Sequence, residues 1–161
     1  MNYAMPVMDP CPFCEIANND SGDWSIIERT PLTLTLLNGR QYEAGQCVVL
    51  PLRHAPTLFD LSHAEGGAVI QAAQRVAAAI TRLLEPEALL LYQNNGLHGG
   101  QEVPHFHLHV VPRTPGSDWG LGPPHLARVE AGARGAHLDY RIATEEKITR
   151  ARALATEIRK S

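Results

Sequence analysis

Three cysteines in 161 residues are too few for a disulfide framework. They are Cys11, Cys14 and Cys47. The chain also lacks the apolar run of ~20 residues that a membrane-spanning helix needs. Neither sign of charge dominates: 14 Lys and Arg against 17 Asp and Glu leave a formal net charge of -3. There is thus no basic footprint for a nucleic-acid backbone or an anionic membrane, and neither is expected as a partner. A small anion is not excluded, because backbone amides in a tight loop can hold phosphate without net positive charge. Residues 1–10 show no basic stretch followed by an apolar one. They do not read as a signal peptide, and a cytoplasmic location is expected. Repeats, low-complexity blocks and linkers are likewise missing.

What is present is 44% hydrophobic residues, enough for one globular domain with a real core over residues 1–161. Residues 24–28, 32–37 and 46–52 read as strands, separated by turn residues at Arg29–Pro31 and Asn38–Gly45. Ser62 opens a long helix. It stands three residues before Glu65, the spacing of a capping box. Val69, Ala72, Ala73, Val76, Ile80, Leu83 and Leu84 recur at helical steps, and Pro86 stops the pattern. Residues 89–93 read as a fourth strand and 105–111 as a fifth, ended by Pro112. A final helix is expected over 144–160, with Thr144 as its cap. Residues 114–141 show no period and read as an irregular segment. The order predicts an α+β fold: an antiparallel sheet meander with one long central helix on one face and a C-terminal helix.

The most informative stretch is His105-Phe106-His107-Leu108-His109-Val110-Val111. In a strand, alternate residues share a side, so His105, His107 and His109 are expected to face one way and the apolar residues the other. Such a row could bind a metal. Alternatively, one neutral imidazole could attack phosphorus, provided its other ring nitrogen has an acceptor that fixes the tautomer. The preceding loop, Asn94-Asn95-Gly96-Leu97-His98-Gly99-Gly100-Gln101, favours the second reading. Its glycines suggest backbone amides cradling a phosphate beside the nucleophile.

These residues, with Glu102, Val103, Pro112 and Arg113, resemble the signature of the histidine-triad (HIT) superfamily: alternating His and apolar residues after a Gly-Gln segment. The resemblance is specific there and looser over the rest of residues 11–113. It implies an α+β fold, usually a homodimer, and hydrolysis or transfer of nucleoside monophosphates from dinucleoside polyphosphates or nucleoside phosphoramidates. A purine nucleotide or dinucleotide is the partner it implies. Residue by residue, His107 would attack the α-phosphate and form a nucleotidyl-histidine, and His109 would hydrogen-bond the phosphate. Asn94 and Gln101 would hold phosphate oxygens and the bridging position, with Gly100, Glu102 and Val103 also lining the substrate. Asn38 falls where the family binds ribose hydroxyls. Two positions depart from the pattern. Gln46 stands where many members have a histidine that assists the triad. Glu102 stands where several branches have Ser or Thr near the leaving group. A catalytically weak nucleotide-binding regulator is therefore the alternative.

Cys11-Pro12-Phe13-Cys14 has three readings: a redox pair, half of a zinc site, or two unpaired thiols. No second C-x-x-C exists, so histidines must complete any tetrahedral site, and His54 and His105 are the candidates. The chain is similar here to a zinc-bearing subset of the superfamily. That similarity implies structural zinc on Cys11, Cys14, His54 and His105. His63, His98, His125 and His137 read as solvated, Trp24 and Trp119 as packing residues, and Cys47 as a small core residue.

Overall fold

The computed structural model describes residues 3–19, 25–39, 41, 43–114 and 144–160. The elements are helix α1 (Pro12–Asn18), strands β1 (Ile26–Arg29), β2 (Thr33–Leu37) and β3 (Cys47–Pro51), helix α2 (His63–Leu84), strands β4 (Ala88–Tyr92) and β5 (Leu108–Arg113), and helix α3 (Thr144–Ile158). Trp24, Trp119, His125, His137 and most of the irregular segment lie outside the described residues, as does the side chain of Thr144.

The strands form one antiparallel sheet in the order β1-β2-β3-β5-β4. Helix α2 carries the chain from β3 past the place that β5 later fills, so β5 ends up between two older strands. Its start follows the expected capping box: Glu65 N–H donates to the Ser62 hydroxyl at 3.2 Å, and Ser62 N–H donates to the Glu65 carboxylate at 2.8 Å. Its end falls before Pro86, with Glu85 in the left-handed region at φ 46°. Val69, Ala72, Ala73, Val76 and Ile80 are buried against Leu37, Cys47, Val49, Leu108 and Val110. Ala151, Leu154 and Ile158 of α3 join that core.

The other face of the sheet is covered too, which corrects the one-sided layering read from sequence. Leu34, Leu36, Val48 and Leu50 pack with Phe13, Ile16 and Ala17 of α1. All five residues of β2 and of β3 are consequently buried. Cys47 is a core residue, as expected; its thiol donates to the Gly45 carbonyl at 3.2 Å.

Strand β5 also differs from its expected bounds. It begins at Leu108, not His105, and it runs through Pro112. Proline can lie there because the ladder to β3 ends at the Cys47–Val110 pair, leaving Pro112 paired only with Leu89 of β4.

Candidate functional site

Of the three alternating histidines only His109 lies within β5. It sits opposite Val48 on β3 and Tyr92 on β4, on the face that α1 covers. His105 and His107 precede the strand in a segment pinned by backbone bonds: His105 N–H to the Val103 carbonyl at 2.8 Å and Phe106 N–H to the Ala55 carbonyl at 2.6 Å. His105 is fully buried and His107 is 8% exposed, yet the expected alternation holds: Phe106, Leu108 and Val110 join the core packed by α2, while the three imidazoles lie together on the side of Phe13. The three rings divide between two tasks.

The Nδ1 of His107 lies 2.8 Å from the carbonyl oxygen of His105. A carbonyl only accepts, so Nδ1 carries the proton and Nε2 keeps a free lone pair. Burial pushes the pKa of this ring below its ordinary value. The bond to the His105 carbonyl and the charge of Glu102 oppose that shift. The ring is therefore neutral, with one nitrogen available for attack. The His109 ring packs edge-on against it, centroids 4.9 Å apart, and Phe13 packs edge-on from α1 at 5.1 Å. His109 is held by Gln46, whose side-chain Nε2 donates to Nδ1 at 3.1 Å. Tyr92 stacks on the ring at 4.4 Å and 15°. Burial, and then the neighbouring His107, push the pKa of His109 down to about 3.

His105 turns the other way. Its Nε2 donates to the Pro51 carbonyl at 2.9 Å, which leaves the lone pair on Nδ1. That atom lies 3.7 Å from Cys11 Sγ and 3.5 Å from Cys14 Sγ, and Cys14 Sγ is 3.2 Å from His54 Nδ1. The four ligand atoms lie within 4.8 Å of one another. The sulfur–nitrogen distances match the edge of about 3.6 Å in a tetrahedron with ordinary Zn–S and Zn–N bonds. A backbone carbonyl fixing the outer nitrogen is how ligating imidazoles are usually oriented. Partial burial, and then the hydrogen bond and charge of the adjacent Cys11, push the Cys14 thiol up to about 11. Among the described residues the three triad histidines do not form one ligand set; His105 belongs with the cysteines.

The glycine-rich loop contradicts the amide-cradle expectation. Its own turns take the amides of Gly99, Gly100 and Gln101, which donate to the carbonyls of Gly96, Leu97 and Gly96. Leu97 N–H donates to the Ala4 carbonyl, and Gly96 N–H donates to Gln101 Oε1 at 2.8 Å. Gln101 is 1% exposed, and its Nε2 donates to the carbonyls of Pro56 and Val103 at 2.7 and 2.9 Å. The glutamine thus braces the loop from within instead of reaching a phosphate. Glycine reveals where a backbone can bend, not where its N–H groups point. Asn94 closes the loop through Gly100, Nδ2 to carbonyl, at 3.2 Å. Gly100 and Glu102 are exposed and Val103 is half-buried. Asn38 is half-buried at the end of β2, and its amide donates to the Gln46 carbonyl at 2.9 Å. His98 and His63 are exposed.

Sequence reasoning overlooked Tyr92 and Phe13. Tyr92 gains meaning only through the β4–β5 register. Phe13 lay hidden inside a motif read for its cysteines.

The described geometry agrees with the comparisons to known proteins. The HIT domain model matches residues 22–116. An adenosine 5'-monophosphoramidase of Schizosaccharomyces pombe is 31% identical over 112 residues, covering 70% of this chain and 80% of the relative. An AP-4-A phosphorylase of Mycobacterium tuberculosis is 30% identical over 110 residues, covering 68% of this chain and 54% of the relative. A zinc-bound histidine triad family protein of Mycobacterium smegmatis superimposes with a TM-score of 0.70 at 24% identity, covering 94% of this chain and 95% of that one. The chain belongs to the HIT domain family.

Proposed function

We propose that the protein is a nucleotide hydrolase or transferase that cleaves at the α-phosphate of a nucleoside phosphoramidate or dinucleoside polyphosphate, through a nucleotidyl-histidine at His107. The observation that carries this reading is the His107 tautomer. Nδ1–H is committed to the His105 carbonyl at 2.8 Å, so Nε2 is a neutral nucleophile that needs no separate base. Its lone pair forms the N–P bond as the bond from phosphorus to the leaving group breaks, and the leaving group takes that electron pair and, where it is an amine, a proton from solvent. Water then attacks phosphorus and gives up a proton to solvent, the P–N electrons return to Nε2, and the mononucleotide leaves. His109 donates toward a phosphate oxygen as charge grows there. Val103 and Asn94 face the same oxygens, Gly100 and Glu102 flank the leaving group, and Asn38 serves the ribose. Gln101 positions the loop.

Zinc fits Cys11, Cys14, His54 and His105. It would have no open position, and its chemistry is structural: it ties α1 to the segment that leads into His107. A homodimer is proposed with β4 at its centre. β4 is an edge strand whose Leu91 is 47% exposed, and a second copy would cover it.

The test is intact-protein mass spectrometry after brief mixing with an adenosine phosphoramidate and with a diadenosine polyphosphate. An acid-labile adduct of one AMP is expected, absent from His107→Ala. No adduct and no AMP release, despite nucleotide binding, would overturn the enzyme reading in favour of a nucleotide-binding regulator.

A further inference from the structure

Gln46 occupies the position where a histidine was expected to assist the triad, and the structure shows what stands in its place. It is fully buried, and both of its backbone groups are anchored. Its N–H donates to the Glu43 carbonyl at 3.1 Å, and its carbonyl accepts from Asn38 N–H at 2.9 Å. The side chain therefore leaves a fixed point on the face of β3 that also carries Val48, next to His109 across the ladder. From there Nε2 reaches His109 Nδ1 at 3.1 Å. An amide nitrogen only donates, so Nδ1 must accept, and the proton of a neutral His109 sits on Nε2. Tyr92, paired with His109 across β4 and β5, lies 15° from parallel to the imidazole at 4.4 Å and restrains the ring plane.

We infer that Gln46 and Tyr92 form a clamp that fixes His109 as a neutral Nε2–H donor. Gln46 is thus a positioning residue that replaces a titratable neighbour with one that cannot ionise. An assisting histidine can change charge near neutral pH; an amide cannot. His109 is then able to donate to a phosphate oxygen but not to exchange a proton with its neighbour in the sheet. His107 shows the complementary arrangement: its Nδ1 meets an acceptor and its outer nitrogen is bare. Two neighbouring imidazoles are thereby set in opposite tautomers, one as lone pair and one as donor. The local partner of each ring imposes this difference, not the solvent. The tautomer assignment stands on geometry alone; its catalytic meaning rests on the proposed function.

The test reads the tautomer directly. The full-length chain, 15N-labelled and purified with zinc supplied, is studied by long-range 1H–15N correlation of the imidazole nitrogens. The His109 signals are identified by their loss in His109→Ala. The parent protein is expected to show His109 protonated on Nε2 only. In Gln46→Glu a carboxylate acceptor replaces the donor, so the proton should move to Nδ1 and kcat for phosphoramidate hydrolysis should fall by about a hundredfold, as for loss of one oxyanion donor. Gln46→His, which can again donate, should restore the Nε2–H pattern and most of the turnover. Gln46→Leu, of similar bulk and without a donor, should give a tautomer mixture. It replaces Gln46→Glu in the test if the buried charge prevents folding. A parent protein with His109 protonated on Nδ1 would overturn the inference, as would a Gln46→Glu or Gln46→Leu spectrum unchanged from the parent. The expected tautomer without turnover of any substrate would sink the proposed function and leave the clamp standing. A His107 adduct with the opposite tautomer at His109 would do the reverse.

Discussion

Gly45 shows how a single residue holds the site from outside it. It turns the chain into Gln46 with φ +96°, and a Cβ there would meet Leu84 Cδ1 at 2.3 Å. Gly45→Ala combines a backbone strain with a clash at the end of α2, and it should cost about 2 kcal/mol. Urea titration should show a lowered midpoint with an unchanged slope, and an unchanged midpoint would refute the argument. At this scale the sequence was informative wherever chemistry lies in residue type. Two cysteines three apart, with histidines needed to complete a tetrahedron, led to the four ligand atoms now found together. The sequence was silent wherever chemistry lies in direction. Whether His107 or His109 carries its proton inward depends on the His105 carbonyl and on an amide 63 residues away. No spacing rule contains either. The glycine loop misled for the same reason.

Helix α1 links the Cys11, Cys14, His54 and His105 cluster to His107. Pro12 begins it, where a missing N–H is harmless. Its seven residues are too short to show an amphipathic period, so a motif read for its cysteines concealed a helix. Phe13, flanked by the two thiols, touches both His105 and His107. If zinc closes the cluster as proposed, removing it should loosen α1 first. A chelator should raise amide hydrogen exchange in 12–18 well before it does so in α2, whose core packing does not involve Cys11 or Cys14. Uniform exchange across both helices after chelation would contradict this. The other elements were legible to within a few residues, because β2, β3 and α2 carry their patterns in local sequence. β5 was misplaced at its start. The histidines alternate as a strand would, yet His105 and His107 use their backbone and ring atoms outside any ladder.

Two of the groups through which acid acts on the whole molecule are His109 and Glu65. His109, ordinarily near 6.5, is held down to about 3 by burial and by His107. Glu65, bound by the Nε and Nη2 groups of Arg53 at 2.9 and 2.8 Å, is held near 2, the hydrogen bonds from Arg53 outweighing its burial. Both groups take up protons more readily in the unfolded chain, so stability falls with pH. The contribution of His109 is complete above about pH 6.5 and erodes toward 3. That of Glu65 is complete above about pH 4.5 and erodes toward 2. The thermal midpoint should therefore decline from pH 6.5 downward and steepen below 4.5, with Glu65→Gln flattening the lower limb. A midpoint that rises as pH falls from 6 to 4.5 would contradict the assignment of His109, and one that rises from 4.5 to 3 would contradict both. The sheet order carries a consequence in time. Val48 and His109 are neighbours in the ladder but are separated by all of α2 and β4. Chains emerge from synthesis N-terminus first, and distant pairings close slowly because the loop entropy comes before the contact. For as long as residues up to Tyr92 exist without β5, β3 has an open flank, and neither Gln46 nor Tyr92 has an imidazole to hold. The insertion of one strand completes the sheet and brings His107 and His109 to their partners together, so under the proposed mechanism no partly built chain is a partly active one.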